Sequence, residues 1–136
     1  IFAPSDVYTV KIDRLKERGA NFLVLGAVLE NMDPNSKPVT NNKNNPMMPV
    51  VWTRDYTAEG GKTARVIAST MGASVDFVHE GLRRIVVNGV YWGLGMEDQI
   101  KPDLNIELVG AFKPTMFGFN KHPSNRTWWS FNYLNT

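Results

Sequence analysis

The sequence predicts an α/β domain: a mixed, largely parallel sheet flanked by helices, incomplete on its own. Three observations carry this expectation. Residues 22–29, Phe-Leu-Val-Leu-Gly-Ala-Val-Leu, are a continuous apolar run of strand length. Such a run suits a strand buried on both faces, which belongs in a parallel or mixed sheet covered by helices. Residues 50–54 and 63–70 read as two further strands joined by a turn containing Gly60-Gly61, the mark of a hairpin. Residues 75–94 carry Val78, Leu82, Ile85, Gly89 and Trp92 at steps of four, three, four and three, one apolar stripe along a helix.

Taken in order, residues 6–12 alternate closely enough to read as a first strand. Residues 13–19 are charged and end in Gly19, which suits a turn or a single helical turn. The run 22–29 follows; a short buried helix is the alternative there. Residues 33–49 hold Pro34, Pro38, Pro46 and Pro49 around an asparagine-rich centre, a long loop of breaker residues. After the hairpin, Gly72 turns the chain, and Ser74 is a candidate N-cap with Asp76 in the first turn, where negative charge suits the helix dipole. His79, Glu80, Arg83, Arg84 and Asn88 make the helix's solvated stripe, and beyond Asn88 the polar face disappears. The end of the helix should therefore be buried nearly all round, with Gly95 as its stop. Residues 106–109 form a candidate last strand, and 110–136 read as irregular.

This layout leaves too little cover. One helix cannot shield two faces of a sheet and also bury its own second side. The expected cover is an N-terminal half of the same polypeptide or a partner subunit. The chain begins with Ile1 rather than Met, which agrees with processing, trimming or partial recovery.

Composition narrows the function classes. At 136 residues with 43% hydrophobic and 21% charged side chains, the chain is globular in character. The absence of cysteine excludes disulfide scaffolds, thiolate metal sites and cysteine nucleophiles. No apolar run reaches the ~18 residues of a membrane span. The net charge of +2 comes from the tail: residues 112–136 contribute +3 and the other 111 residues −1. A nucleic-acid protein would carry a basic face on its body, so no nucleic-acid partner is expected. The compartment stays open; a soluble chain without cysteine fits the periplasm or secretion as well as the cytoplasm, and no cofactor is indicated.

Several local patterns resolve against chemistry. Gly60-Gly-Lys-Thr63 imitates a phosphate loop, but Tyr56 stands where the first glycine is needed and a strand follows instead of a helix. Gly72-Ala-Ser-Val-Asp76 imitates a nucleophile elbow, but Asp76 replaces its second glycine. Only His79 and His122 exist as bases, so neither glutaminase nor serine-hydrolase activity is expected, and zinc is poorly supported. The carboxylate pairs Asp55/Glu59 and Glu97/Asp98 read as solvated, and Asn125-Arg-Thr127 matches a glycosylation sequon. Seven of fifteen aromatics fall in residues 112–136. They form either an arm that packs on its own domain or a partner, or a stacking surface for sugars or bases.

From Asp6 onward the chain resembles the trehalose-utilisation (ThuA-like) family. The matching residues are Ser5-Asp-Val-Tyr8, Pro46-Met-Met-Pro-Val-Val-Trp-Thr-Arg-Asp-Tyr56, Gly61-Lys-Thr-Ala-Arg-Val66 and Thr70-Met-Gly-Ala-Ser74. Glu80-Gly-Leu-Arg-Arg-Ile85, Tyr91-Trp92, Leu108-Val-Gly110 and Lys113-Pro-Thr-Met-Phe-Gly-Phe119 complete it. The resemblance covers about residues 5–120. It implies a flavodoxin-like fold of the class I glutamine amidotransferase type, with residues 1–111 as the C-terminal part of the domain and 112–136 as an aromatic-rich arm. It also implies a role in carbohydrate utilisation or sugar binding. Ala73 stands where many members have histidine, so no amidotransferase triad is implied.

The candidate substrate-binding residues are Asp6 and Tyr8 at a strand end and Trp52, Arg54 and Tyr56 at the hairpin. Tyrosine and tryptophan would stack on a sugar face, arginine would donate paired hydrogen bonds, and aspartate would accept from hydroxyls. Ordinary core packing is the alternative for Trp52. The competing function is a non-catalytic accessory or assembly subunit that docks on a partner through the aromatic arm.

Overall fold

The computed structural model describes residues 1–116 and 118. Its centre is a three-stranded antiparallel sheet of order β1-β2-β3, built from β1 (Asn21–Gly26), β2 (Met48–Thr57) and β3 (Thr63–Ser69). Two α-helices accompany it, α1 (Ile12–Glu17) and α2 (Glu80–Gly93), together with short 3-10 turns at Asn42–Asn44, Ser74–Val78 and Glu97–Gln99. This corrects the expected largely parallel, flavodoxin-like sheet. Parallel strands need a crossover, usually a helix, and between β1 and β2 the chain offers one 3-10 turn and a proline-rich loop. It folds back, and β1 pairs antiparallel with β2.

The apolar run is likewise not buried on both faces. Along β1, Phe22 and Val24 are half-buried, while Leu23 and Leu25 stand about half exposed. The strand alternates as a one-sided strand does, with slips in register on either side of Val24. A run of uniform polarity hides this alternation. Residues 6–11 join no strand, because alternation alone supplies no neighbour to pair with. Residues 106–109 also form no strand, although Ile106 is buried.

The β2–β3 hairpin follows the expectation and is longer, pairing from Val51 with Ser69 to Thr57 with Thr63. The loop before β2 is more organised than its composition suggests. Leu29 bridges to Pro38, and the Asn44 amide serves three backbone groups. Its oxygen accepts from Val28 N at 2.7 Å, and its nitrogen donates to the carbonyls of Val28 at 2.9 Å and Val39 at 2.8 Å.

The helical region 75–94 is two pieces. A 3-10 turn precedes α2, whose N-cap is His79 rather than Ser74: the His79 side chain accepts from Gly81 N. Gly95 closes the helix at φ +73°, with Gly95 N bonding Trp92 O and Met96 N bonding Tyr91 O, the Schellman arrangement. Leu82 and Gly89 are buried on the face toward β3, where Gly89 lies against Ile67. The expected burial all round does not occur, since Val86, Val90 and Leu94 are exposed. Arg83, read as solvated, instead donates to the carbonyls of Phe77, Val78 and Ile106 and ties the segment after α2 to its first turn. Pro49, Val50, Val51, Leu82 and Ile106 are the buried apolar side chains among the described residues. No helix among the described residues is long and apolar enough to cross a membrane.

Candidate functional site

The site begins with the turn between β3 and α2. Gly72 adopts φ +140°, a conformation that side-chain-bearing residues rarely take. The turn presents Gly72 N and Ala73 N to one carboxylate oxygen of Asp76, each at 3.0 Å. The carboxylate thus reaches back over the start of the 3-10 turn, as an acidic residue does in a capping box. The same oxygen accepts from the Ser5 hydroxyl. Asp76 is only 1% exposed.

That contact brings the N-terminal segment alongside the turn. The segment is held at three places: Ile1 against Gly81 of α2, Ser5 on Asp76, and Val7 over Gly26 of β1. Between the segment and the turn lies a cleft of about 390 Å³, walled by Ser5, Asp6 and Tyr8 on one side and Thr70, Gly72 and Ala73 on the other. Asp6 and Tyr8 are exposed at its mouth. Two buried oxygens, Thr70 Oγ1 and Asp76 Oδ1, have no hydrogen-bond partner among the described residues. Such atoms normally find a partner in water or a ligand.

The five residues singled out from the sequence therefore fall into two groups. Asp6 and Tyr8 share the cleft. Trp52, Arg54 and Tyr56 alternate along β2 and so occupy one face of the sheet, but they line neither this cleft nor the larger one beside α1. Trp52 is half-buried opposite Phe22 of β1 and Ala68 of β3, a place in the sheet's packing. Arg54 stacks over the Tyr56 ring at 5.4 Å. Sequence reasoning missed Ser5 and Thr70 as walls of the cleft and read Asp76 only as a helix-dipole residue. The signal available was an acidic side chain three residues beyond the Gly72-Ala73 turn.

The Ser74 hydroxyl donates to Thr115 O at 3.0 Å, and His79 Nδ1 is engaged by Gly81 N at 3.1 Å. Nucleophilic catalysis by serine needs the two side chains bonded to each other, and here each bonds elsewhere. Among the described residues, no group of three or more histidine, aspartate or glutamate side chains could hold a metal ion. Most of the aromatic arm, residues 119–136, lies outside the described residues.

No protein-family model, no curated protein and no solved structure matches the chain.

Proposed function

We propose that the chain is a carbohydrate-utilisation or sugar-binding domain of the trehalose-utilisation kind, with its ligand in the Asp6–Tyr8 cleft. The observation that carries this reading is the pairing of an exposed carboxylate with an exposed phenol ring at one polar cleft. A sugar offers hydroxyls for the first and an apolar ring face for the second. The cleft volume lies within the range of small-molecule sites. The hairpin residues Arg54 and Tyr56, stacked on each other away from the cleft, are assigned no contact with the ligand.

Calorimetric titration with a panel of mono- and disaccharides tests the reading. Saturable binding to the wild type, lost in Asp6→Ala and Tyr8→Ala and retained in Arg54→Ala, is the expected result. Failure of every sugar to bind the wild type ends it.

A second reading, a non-catalytic subunit docked on a partner, is favoured by α2. Val86, Val90 and Leu94 recur at steps of four and stand 42%, 58% and 68% exposed, an apolar stripe with no cover among the described residues. The occupant assigned to it is a second copy of this chain, whose identical apolar stripe can pair with it across a two-fold axis. Sedimentation velocity distinguishes the cases: a dimer that Val90→Asp converts to monomer supports docking, and a wild-type monomer at high micromolar concentration removes it.

A further inference from the structure

A second cleft, larger than the one at Asp6 and Tyr8, lies beside α1, and no residue of the sugar proposal contributes to it. Its volume is about 730 Å³. Its lining includes Lys11, Arg14 and Lys16 and a single acid, Asp13. None of these three cations forms an ion pair among the described residues; the ion pair found there joins Arg65 to Glu97. Its apolar lining includes Phe22 and Leu25 from β1 and Met47 at the entry to β2. Leu25 is 49% exposed and Met47 40% exposed, so apolar surface there is wet.

We propose that this groove binds a free, single-chain anionic amphiphile, a carboxylate of the fatty-acid class. Charge complementarity here accompanies apolar surface. Three cations lining a groove lower the free energy of an anionic head group, and an alkyl chain laid against Phe22, Leu25 and Met47 removes their exposed surface from water. An uncharged chain gains only the second effect, and a small anion only the first. The size of the groove favours a small ligand over a protein. Ten residues line it, against roughly 20–30 a side in a stable protein interface, and its volume lies within the range of small-molecule sites. α1 has six residues, about 9 Å of helix at 1.5 Å per residue, too short a wall for a docked helix of several turns.

The test uses the 136-residue chain with laurate below its critical micelle concentration, dodecanol, and dodecyltrimethylammonium, followed by calorimetry and by amide shifts of residues around the groove. Laurate should bind one to one, with an affinity that falls as salt is raised. The triple variant Lys11→Gln, Arg14→Gln, Lys16→Gln alters exposed side chains and should keep the wild-type circular dichroism. It should weaken laurate at least ten-fold and leave dodecanol unchanged. Leu25→Asn, a change at a half-exposed position, should weaken both laurate and dodecanol. Equal binding of laurate and the cationic amphiphile would overturn the proposal. So would an unchanged laurate affinity in the triple variant, or no saturable laurate binding at all. Binding confined to anionic vesicles, or to an acidic peptide in place of laurate, would overturn it too. Sugar titrations read a different cleft, so either proposal can fail without the other.

Discussion

Ser5 and Asp76, 71 residues apart in the chain, share a hydrogen bond that fastens one wall of the candidate cleft to the other. The carboxylate that receives it also holds Gly72 N and Ala73 N, so one buried side chain organises both the turn and the segment facing it. Replacing it removes three bonds at once and leaves backbone donors short of an acceptor. Asp76→Ala should cost about 2–4 kcal/mol in urea unfolding, given the usual worth of hydrogen bonds to a charged group. Asp76→Asn keeps an oxygen that can accept and should cost less; Ser5→Ala should cost about 1 kcal/mol. A loss below about 0.5 kcal/mol in Asp76→Ala would show that the carboxylate does not hold the turn.

The second prediction concerns acid. Glu97 is held below its ordinary value of 4.5, first by the hydrogen bond from its own backbone and next by that from Arg65. Arg65 is itself fixed, donating to Trp92 O at 2.6 Å with its guanidinium 5.3 Å from the Trp92 ring centre. A carboxyl with a depressed folded-state pKa adds stability above its unfolded value, and that contribution disappears as pH falls through the folded value. The stability gap between wild type and Glu97→Gln should therefore be present above about pH 4.5 and close below it. Carboxyl titration by NMR should also show Glu97 rising in Arg65→Gln. An unmoved titration there would rule out the Arg65 contact in solution. Because the pair is exposed, the effect should shrink with added salt.

A third expectation falls on Asn44. Its amide closes three bonds between the proline-rich loop and residues 28 and 39. Asn44→Ala should lower stability by about 1.5–3 kcal/mol and raise the exchange rate of the Val28 amide. Asn44→Asp keeps the acceptor for Val28 N but sets a carboxylate against two carbonyl oxygens. It should be at least as damaging as alanine. Wild-type exchange at Val28 in both variants would mean the loop is held by something else.

These residues also show where the sequence was legible and where it was not. The β2–β3 hairpin could be read because β-rich strands flank a Gly60-Gly61 turn, both local signals. The face of α2 toward β3 could be read from Leu82, Ile85, Gly89 and Trp92. What failed was long-range. A uniform run such as residues 22–29 carries no period, so it could not tell a strand covered twice from one covered once. The alternation at residues 6–12 named no partner strand. Asn44 looked like one loop asparagine among several, because its value lies in three backbone groups brought close only by the fold. At the site, Asp6 and Tyr8 could be named from residue type at the end of an alternating segment. Ser5 and Thr70 escaped because walls built from distant segments leave no spacing to detect. Trp52 was a fair candidate by residue type, and its place between Phe22 and Ala68 answers for it as packing.

The last prediction separates the observed fold from the one first expected. Leu82 and Val51 are 1% and 0% exposed, whereas Leu23 is 51% exposed. Truncating a buried aliphatic side chain loses its transfer free energy and leaves a cavity, typically about 2–5 kcal/mol for leucine. Truncating a half-exposed one loses part of the transfer term and opens no cavity. Leu82→Ala and Val51→Ala should therefore each cost about 2–4 kcal/mol in urea unfolding, and Leu23→Ala less than about 1 kcal/mol. A sheet covered on both faces would make the three substitutions comparable, since Leu23 would then be enclosed as Leu82 is. Concentration adds a further control. If Leu23→Ala is mild at low micromolar protein and costly at high micromolar protein, a second molecule supplies the missing cover over β1. Equal and large costs at every concentration would contradict the one-sided strand seen here, and would mean that β1 is enclosed within the chain itself.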